Sequence, residues 1–275
     1  METFVFAHQR GHYLENCLRS AASVGWPGPI TIVDDGSTDR ASRRVLAAAE
    51  RAGHRVIIQS GGVVGAWGGL QRNMGMALEQ AEGPATLLLQ DDLQFVRPVG
   101  HEELQRIVRL VNDPQASPFL APFFHMESWT ESVREGTYRW DPVDEVHVRT
   151  EQNRFQGFSD VAIVSPQRLR EAGWDAQFVE KDASPRAVER FGPMRSLHDP
   201  FIVFVPYPYA PRRPLRRRLK ERKRRRTPSE VAIMTPEEVE RMRQAPTDRV
   251  PFATEHLHLV APRRERLLGR THWSH

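Results

Sequence analysis

Two pairs of adjacent carboxylates, Asp34-Asp35 and Asp91-Asp92, each follow a short apolar run. The first pair leads into Gly36-Ser37-Thr38-Asp39. Carboxylates there accept hydrogen bonds from a base N–H or a ribose hydroxyl, Gly36 permits a tight turn, and Asp39 is placed to cap the next helix. Capping explains Asp39 but not two acids ahead of the turn. The second pair closes Leu87-Leu88-Leu89-Gln90-Asp91-Asp92. Two acids at the end of a buried strand are costly unless they are solvated, paired or bound to a cation. Mg²⁺ or Mn²⁺ takes oxygen ligands and bridges one or two carboxylates to substrate phosphates. A third group is the glycine-rich stretch Gly61 to Gly69 that opens onto Gln71-Arg72-Asn73. Glycine lets backbone approach a ligand, a helix N-terminus favours an anion, and Arg72 is suited to a phosphate or to the Asp pair.

The surrounding pattern supplies the elements that would carry these groups. Strands are predicted at Phe4 to Phe6, Ile30 to Val33, Arg55 to Gln59 and Ala85 to Leu89. Helices are predicted at Tyr13 to Ala22, Arg43 to Ala52 (ended by Gly53) and Leu70 to Ala81. Such alternation implies parallel strands with helices on both faces, and ligands then sit at the carboxyl ends of the strands. Beyond Pro98 the pattern is less regular. A helix is predicted at His101 to Val111 and strands at Pro118 to Phe124, Val161 to Val164 and Phe201 to Val205. A short helix is predicted at Pro166 to Glu171, and Trp129 to Phe158, rich in Trp, Tyr, Gly and charges, fits hairpins and loops shaping a pocket. Thr235-Pro236-Glu237-Glu238 reads as a capping box opening a helix to about Gln244. A dinucleotide-binding unit also places an acid after its second strand, but Ala7-His8-Gln9-Arg10-Gly11 lacks the Gly-x-Gly-x-x-Gly turn.

Together, VDDGSTD, QRNMG and LLLQDDLQF, with the opening FVFAHQRGHYLENCLRS, resemble family 2 glycosyltransferases of the GT-A fold, within the nucleotide-diphospho-sugar transferase superfamily. The resemblance is good over residues 3–98, weaker to about Pro211 and absent beyond. It implies a Rossmann-like, mostly parallel α/β sheet flanked by helices, with a nucleotide-binding half over 1–98, an acceptor half over 99–211, and a basic C-terminal extension over 212–275 carrying a short helix. It implies transfer of a sugar, with inversion expected, from a nucleotide-diphosphate donor with UDP as the nucleotide, to a glycan or lipid-linked acceptor. By position, Asp35 would bind the nucleobase or ribose, with Asp34, Ala7, His8 and Gln9 beside it. Arg72 would support the nucleotide, Asp91 the ribose or donor sugar, and Asp92 would hold Mg²⁺ or Mn²⁺ on the diphosphate. Gln90 stands in the place of the first acid of the family's DxD triplet. The family's general base follows a Gly-Gly-Phe-Asp-like segment, here Ala172-Gly173-Trp174-Asp175, which makes Asp182 the first candidate and Glu180 the second, with Lys181 between them.

His256 and His258 lie in Val250 to Val260, a stretch readable as a strand that would put both on one face. Some GT-A enzymes complete their metal site with a late histidine, so the resemblance makes them candidate metal ligands. Arg212 to Arg226 carries eleven basic residues against one acid, Glu221, while the chain as a whole is only +4, so the body is mildly acidic. The run suits a solvated helix, an anionic membrane surface or sequence-independent contact with nucleic acid; it lacks aromatics for base stacking, so no specific nucleic acid is expected. No apolar run reaches membrane-spanning length, no secretory signal is expected, and the single cysteine, Cys17, suits a core thiol. A cytoplasmic enzyme, peripheral at the inner membrane face if the basic run binds lipid, is the expectation. Two alternatives are a sugar-1-phosphate nucleotidyltransferase, which needs a Gly- and Arg-rich loop after the first strand, and a non-catalytic GT-A scaffold tethered through its basic run.

Overall fold

The computed structural model describes residues 1–59, 69–127, 129, 134–174, 176, 178–205 and 230–260. The glycine-rich stretch as far as Gly68, Asp175 and the basic run 212–226 lie outside the described residues.

Nine strands form the main sheet: β1 (Glu2–Ala7), β2 (Ile30–Asp34), β3 (Arg55–Ile58), β4 (Thr86–Gln90), β6 (Phe119–Ala121), β7 (Tyr138–Asp141), β8 (Val146–Arg149), β9 (Ala162–Val164) and β10 (Arg195–Leu197). Their order is β3-β2-β1-β4-β9-β6-β10-β8-β7. β1, β2, β3 and β4 are mutually parallel, β9 is antiparallel to both β4 and β6, and β8 is antiparallel to β10 and β7. The sheet is therefore mostly parallel. β5 (Leu93–Phe95) pairs with β11 (Ile202–Phe204), and β12 (Glu230–Val231) with β13 (Leu259–Val260).

The flanking helices are α1 (Gly11–Ser23), α2 (Arg40–Arg51), α3 (Leu70–Gln80), α4 (His101–Asn112), α5 (Pro166–Glu171), α6 (Glu180–Phe191), α7 (Pro236–Arg243) and α8 (Ala253–His256). The expected strands and helices of residues 3–98 recur here with shifted ends. Asp39 caps α2 by accepting from the Ser42 N–H at 2.9 Å, and Thr235 and Glu238 close the expected capping box. Leu87, Leu88 and Leu89 are fully buried, as a central strand covered on both faces requires. Gly11 lets α1 touch α2: a Cβ there would sit 2.3 Å from the Ser42 nitrogen.

Two expectations change. The stretch Val250 to Val260 is not one strand but the short helix α8 followed by β13, because the Phe252 to Leu257 backbone turns to bond with itself and with His125. Residues 230–260, read in sequence as part of an appended extension, pack against the sheet domain. Val231, Met234, Val239, Met242 and Leu257 share an apolar cluster with Val96, Phe124 and Val203. The buried Gln94 carboxamide bonds both the N–H and the C=O of Val231, and the Met234 N–H donates to the Val96 carbonyl at 2.7 Å. Among the described residues no helix is long and apolar enough to cross a membrane.

Candidate functional site

The chain builds outward from β1 through β2 to β3, then returns to the other side of β1 as β4. Such a reversal opens a crevice at the carboxyl ends of the two strands that flank it. Ala7 to Arg10, Asp34-Asp35 and Asp91-Asp92 stand at those ends. The Asp35 N–H bonds the Ala7 carbonyl (2.9 Å) and the Asp91 N–H bonds the Phe6 carbonyl (3.0 Å), so the ladder fixes both pairs beside β1. His8 joins them: its backbone N–H donates to Asp91 Oδ2 at 3.3 Å, and its ring Nδ1 lies 3.0 Å from the Asp35 carbonyl oxygen. The two carboxylate pairs of the sequence thus meet at one crevice.

Within that crevice the side chains divide the work unevenly. Asp34 is fully buried and accepts the Ser37 N–H at 2.6 Å, which closes the turn after β2. Gln9, at φ 55°, spends its side chain on the Thr38 and Asp39 amides and the Thr38 hydroxyl. Asp34 and Gln9 therefore shape the wall. Asp35 points outward from it, accepting the Gly69 N–H at 2.7 Å and pairing with Arg72 at 3.5 Å. Arg72 is half exposed, so it can turn toward an anion.

At the β4 side, Arg10 bridges the second pair, bonding Asp91 and, at 2.7 Å, Asp92 Oδ2. Asp91 is completely buried, and burial pushes its carboxyl up to about 7 against the pull of Arg10, with the Asp92 charge adding to the rise. Three carboxylates, Asp35, Asp91 and Asp92, meet two guanidinium groups here, so the corner has room for further positive charge. Asp92 Oδ1 is buried without a hydrogen-bond partner. That orphaned oxygen fits a hard divalent ion whose other ligands come from phosphate and water. His256 and His258 do not complete such a set. His256 faces Glu255 (4.0 Å) and the Phe124 ring, while the exposed His258 faces Glu238 (3.4 Å). Among the described residues no three His, Cys, Asp or Glu side chains are grouped to hold a metal.

Beyond Gln90 lies a cavity of about 310 Å³. Antiparallel pairing of β4 with β9 sets Asp160 across from Gln90, and both line it together with Glu180 from the first turn of α6. Gly157 sets that helix in place: its N–H donates to Ser184 Oγ at 3.0 Å, and a Cβ there would sit 2.6 Å from the Val188 nitrogen. Asp182 lies one turn-face away, exposed on α6, and does not line the cavity. Burial, then the Glu180 charge, raise the Asp160 carboxyl to about 7.

A raised acid makes the fold lose stability as pH climbs, because between about 4 and about 7 the native chain keeps a proton that the unfolded chain has released. Asp160→Asn removes that penalty. We expect its melting temperature to exceed that of the parent by about 5 °C at pH 8, on the order of 2 kcal/mol, with the gap closing near pH 4. A gap that is constant with pH, read by calorimetry, would show Asp160 to be ionised in the fold.

Arg10, Asp160 and His125 did not stand out in the sequence, whereas Trp129 opens the stretch expected to shape a pocket. Arg10 carried one readable signal, its place directly after β1. The others gain their meaning only from pairing across β9 and from the approach of the segment around His125.

This architecture is the GT-A fold: a Rossmann-like sheet whose first four strands carry acids around one crevice at their tips, extended by a mixed sheet bearing a second cavity. Solved structures share it. S. aureus TarS (16% identity, TM-score 0.55) is matched over 76% of this chain and 37% of its own. TarS 1–349 in complex with UDP (18%, 0.53) is matched over 74% and 60%. The chain thus covers less than two thirds of TarS. No family model matches the chain, and no curated protein does.

Proposed function

We propose that the chain is a glycosyltransferase that moves a sugar from a nucleotide-diphosphate donor, with UDP as the nucleotide, to an acceptor hydroxyl with inversion. The observation that carries this reading is the meeting of Asp35, Arg72, Asp91 and Asp92 at the β1/β4 crevice, directly beside a cavity that holds Glu180. The shared fold of TarS, solved with UDP, supports it.

In this reading Asp35 accepts hydrogen bonds from the nucleoside, and Arg72 and Arg10 face the diphosphate. Asp92 would hold Mg²⁺ or Mn²⁺ through Oδ1, and the ion when bound would neutralise charge on the departing diphosphate. Asp91, kept in register by Arg10 and the His8 N–H, orients the donor ribose or sugar. Glu180, in the lining of the cavity, takes the proton of the attacking acceptor hydroxyl, and the hydroxyl oxygen forms the new glycosidic bond as the bond to the diphosphate breaks. Asp182, exposed on the same helix, is the alternative base. The basic run 212–226 is proposed to reach an anionic membrane surface, which would suit a lipid-linked acceptor and a peripheral cytoplasmic location.

The first test is UDP-sugar hydrolysis and UDP binding in Mn²⁺ and in chelator. A non-catalytic scaffold would bind without turnover; failure to bind any nucleoside diphosphate removes the reading. Gly69 gives a sharper check of the nucleoside contact. A Cβ there would sit 2.3 Å from Asp35 Oδ1. Gly69→Ala is expected to displace that carboxylate and weaken UDP binding about tenfold or more, roughly 1.4 kcal/mol, by calorimetric titration. Unaltered affinity would remove Asp35 from the nucleoside site.

A further inference from the structure

We propose that the buried histidines His125, His147 and His198 fasten residues 250–257 to the sheet domain as a latch that opens in acid: neutral imidazoles keep the segment docked, and charged ones release it. This goes beyond the transferase reading and does not depend on it.

The latch is a group of imidazoles beneath a main-chain splice. The His125 N–H donates to the Pro251 carbonyl at 3.1 Å, and the His125 carbonyl accepts the Ala253 N–H at 2.8 Å. The ring of His125 meets Tyr138 (5.2 Å, 71°) and Trp129 (6.2 Å, 86°) edge-on, with the Tyr138 hydroxyl 3.4 Å from its Nδ1. His147 on β8 lies with Nε2 3.1 Å from Nδ1 of His198, just past β10, and Trp140 packs on both rings at 5.0 and 5.2 Å. His125, His147 and His198 are 2%, 1% and 7% exposed, so water cannot solvate a charge placed on them.

The groups around them do not compensate such a charge. His125 faces the Arg149 guanidinium and His147, and His147 faces His198. His198 Nε2 is buried without a hydrogen-bond partner, and among the described residues no ion pair joins His147 or His198 to a carboxylate. Asp199, next in the chain, is already shared by Arg97, Arg106 and Arg243 at 3.4, 3.7 and 3.4 Å. From the segment side, His198 faces His256, which has Glu255 at 4.0 Å and the charges of Arg249 and Arg241 about it. Glu255 is itself paired with Arg249 at 2.6 Å.

Burial, then Arg149 and His147, hold His125 well below the usual imidazole range. Burial, then His198, lowers His147 from 6.5 to about 4. The docked chain therefore stays neutral where the released chain takes up a proton, and docking weakens as pH falls from 6.5 toward 4. With the released imidazole at its ordinary 6.5, His147 alone raises the opening equilibrium about thirtyfold between pH 8 and pH 5, and His125 adds to it. Opening is local, because β1, β2, β3 and β4 contain no histidine. His125 also lines the 310 Å³ cavity, so the latch couples that wall to pH.

The test is hydrogen–deuterium exchange of the full chain from pH 8 to pH 5, corrected for the intrinsic pH dependence of amide exchange. We expect protection of the His125 and Ala253 amides to fall about thirtyfold or more, while amides of β1 to β4 change by less than about threefold. His147→Gln cannot take the charge and should cut the fall at Ala253 by about tenfold or more. Should that variant fail to fold, the parent still decides the matter by NMR of its imidazoles, where His147 should titrate below pH 5 while the segment is docked. Protection at Ala253 that ignores pH, loss of protection in β1 to β4 in step with Ala253, or His125 and His147 titrating near 6.5 in the docked chain overturns the proposal. So does a fall at Ala253 that persists undiminished in His147→Gln.

Discussion

Glu180→Gln is expected to lower turnover by about 10²- to 10⁴-fold, the range that positioned general bases contribute, with UDP affinity unchanged. Glu180 lines the cavity with Asp160 and Gln90, whereas Asp35 and Arg72 do not, so its loss should touch the proton transfer and leave nucleotide contacts intact. Asp182→Asn is the matched control. Asp182 is exposed on α6 outside the cavity lining, and its replacement should keep turnover within about threefold, or roughly 0.7 kcal/mol. Single-turnover measurement with a competent acceptor separates the two. Loss of turnover in Asp182→Asn with Glu180→Gln still active would return the base role to Asp182 and require α6 to rotate when the acceptor binds. Solvent exposure of Asp182 makes it a carboxylate already suited to complement the helix N-terminus, a bland role that needs no chemistry.

The second large effect is at Asp92. In the parent chain, UDP at about 100 times its dissociation constant in Mn²⁺ should stabilise the fold by about 2.7 kcal/mol, and chelator should remove most of that gain. Asp92→Ala should abolish the difference between Mn²⁺ and chelator, because the orphaned Oδ1 is the oxygen offered to the ion. The variant also frees Arg10 from its 2.7 Å contact, leaving Arg10 to pair with Asp91 alone. Residual UDP binding through Asp35 and Arg72 is therefore expected in the variant. Equal UDP affinity with and without chelator in the parent would show that Arg10 and Arg72 suffice for the diphosphate and would remove the ion from the site.

Residues 3–98 were largely legible because each of their signals is local. Strand length, helical spacing and the Gly-Ser-Thr-Asp turn are written within a few neighbours, and parallel β/α alternation leaves one way to bring the strand tips together. The convergence of Asp35 with Asp91 and Asp92 followed from that alternation. The cavity was legible only as pocket-shaping loops over Trp129 to Phe158; the acids that line it were not brought together by the sequence. Asp160 sits ahead of a strand of only three residues, Ala162–Val164, and its partners Gln90 and Glu180 are 70 residues before and 20 after it. Antiparallel register across β4 and β9, rather than any spacing, puts them together.

What the sequence by itself determined, then, is the sheet of the first four parallel strands, the carboxylate pairs at its strand tips and the helix caps, since propensity, periodicity and turn chemistry act between near neighbours. Tertiary structure alone decided which acids face the crevice or the cavity and which serve the fold. Asp34 and Asp35 are adjacent in sequence, yet one closes a turn in full burial and the other reaches Gly69 and Arg72. Glu180 and Asp182 share a helix, yet one lines the cavity and the other faces solvent. Tertiary packing also gave Arg10 its two carboxylates and moved His256 and His258 away from a shared strand face. The physical reason is common to all of these: a side chain's direction, burial and charge partners are set by long-range register and close packing, which residue type and local spacing leave undetermined.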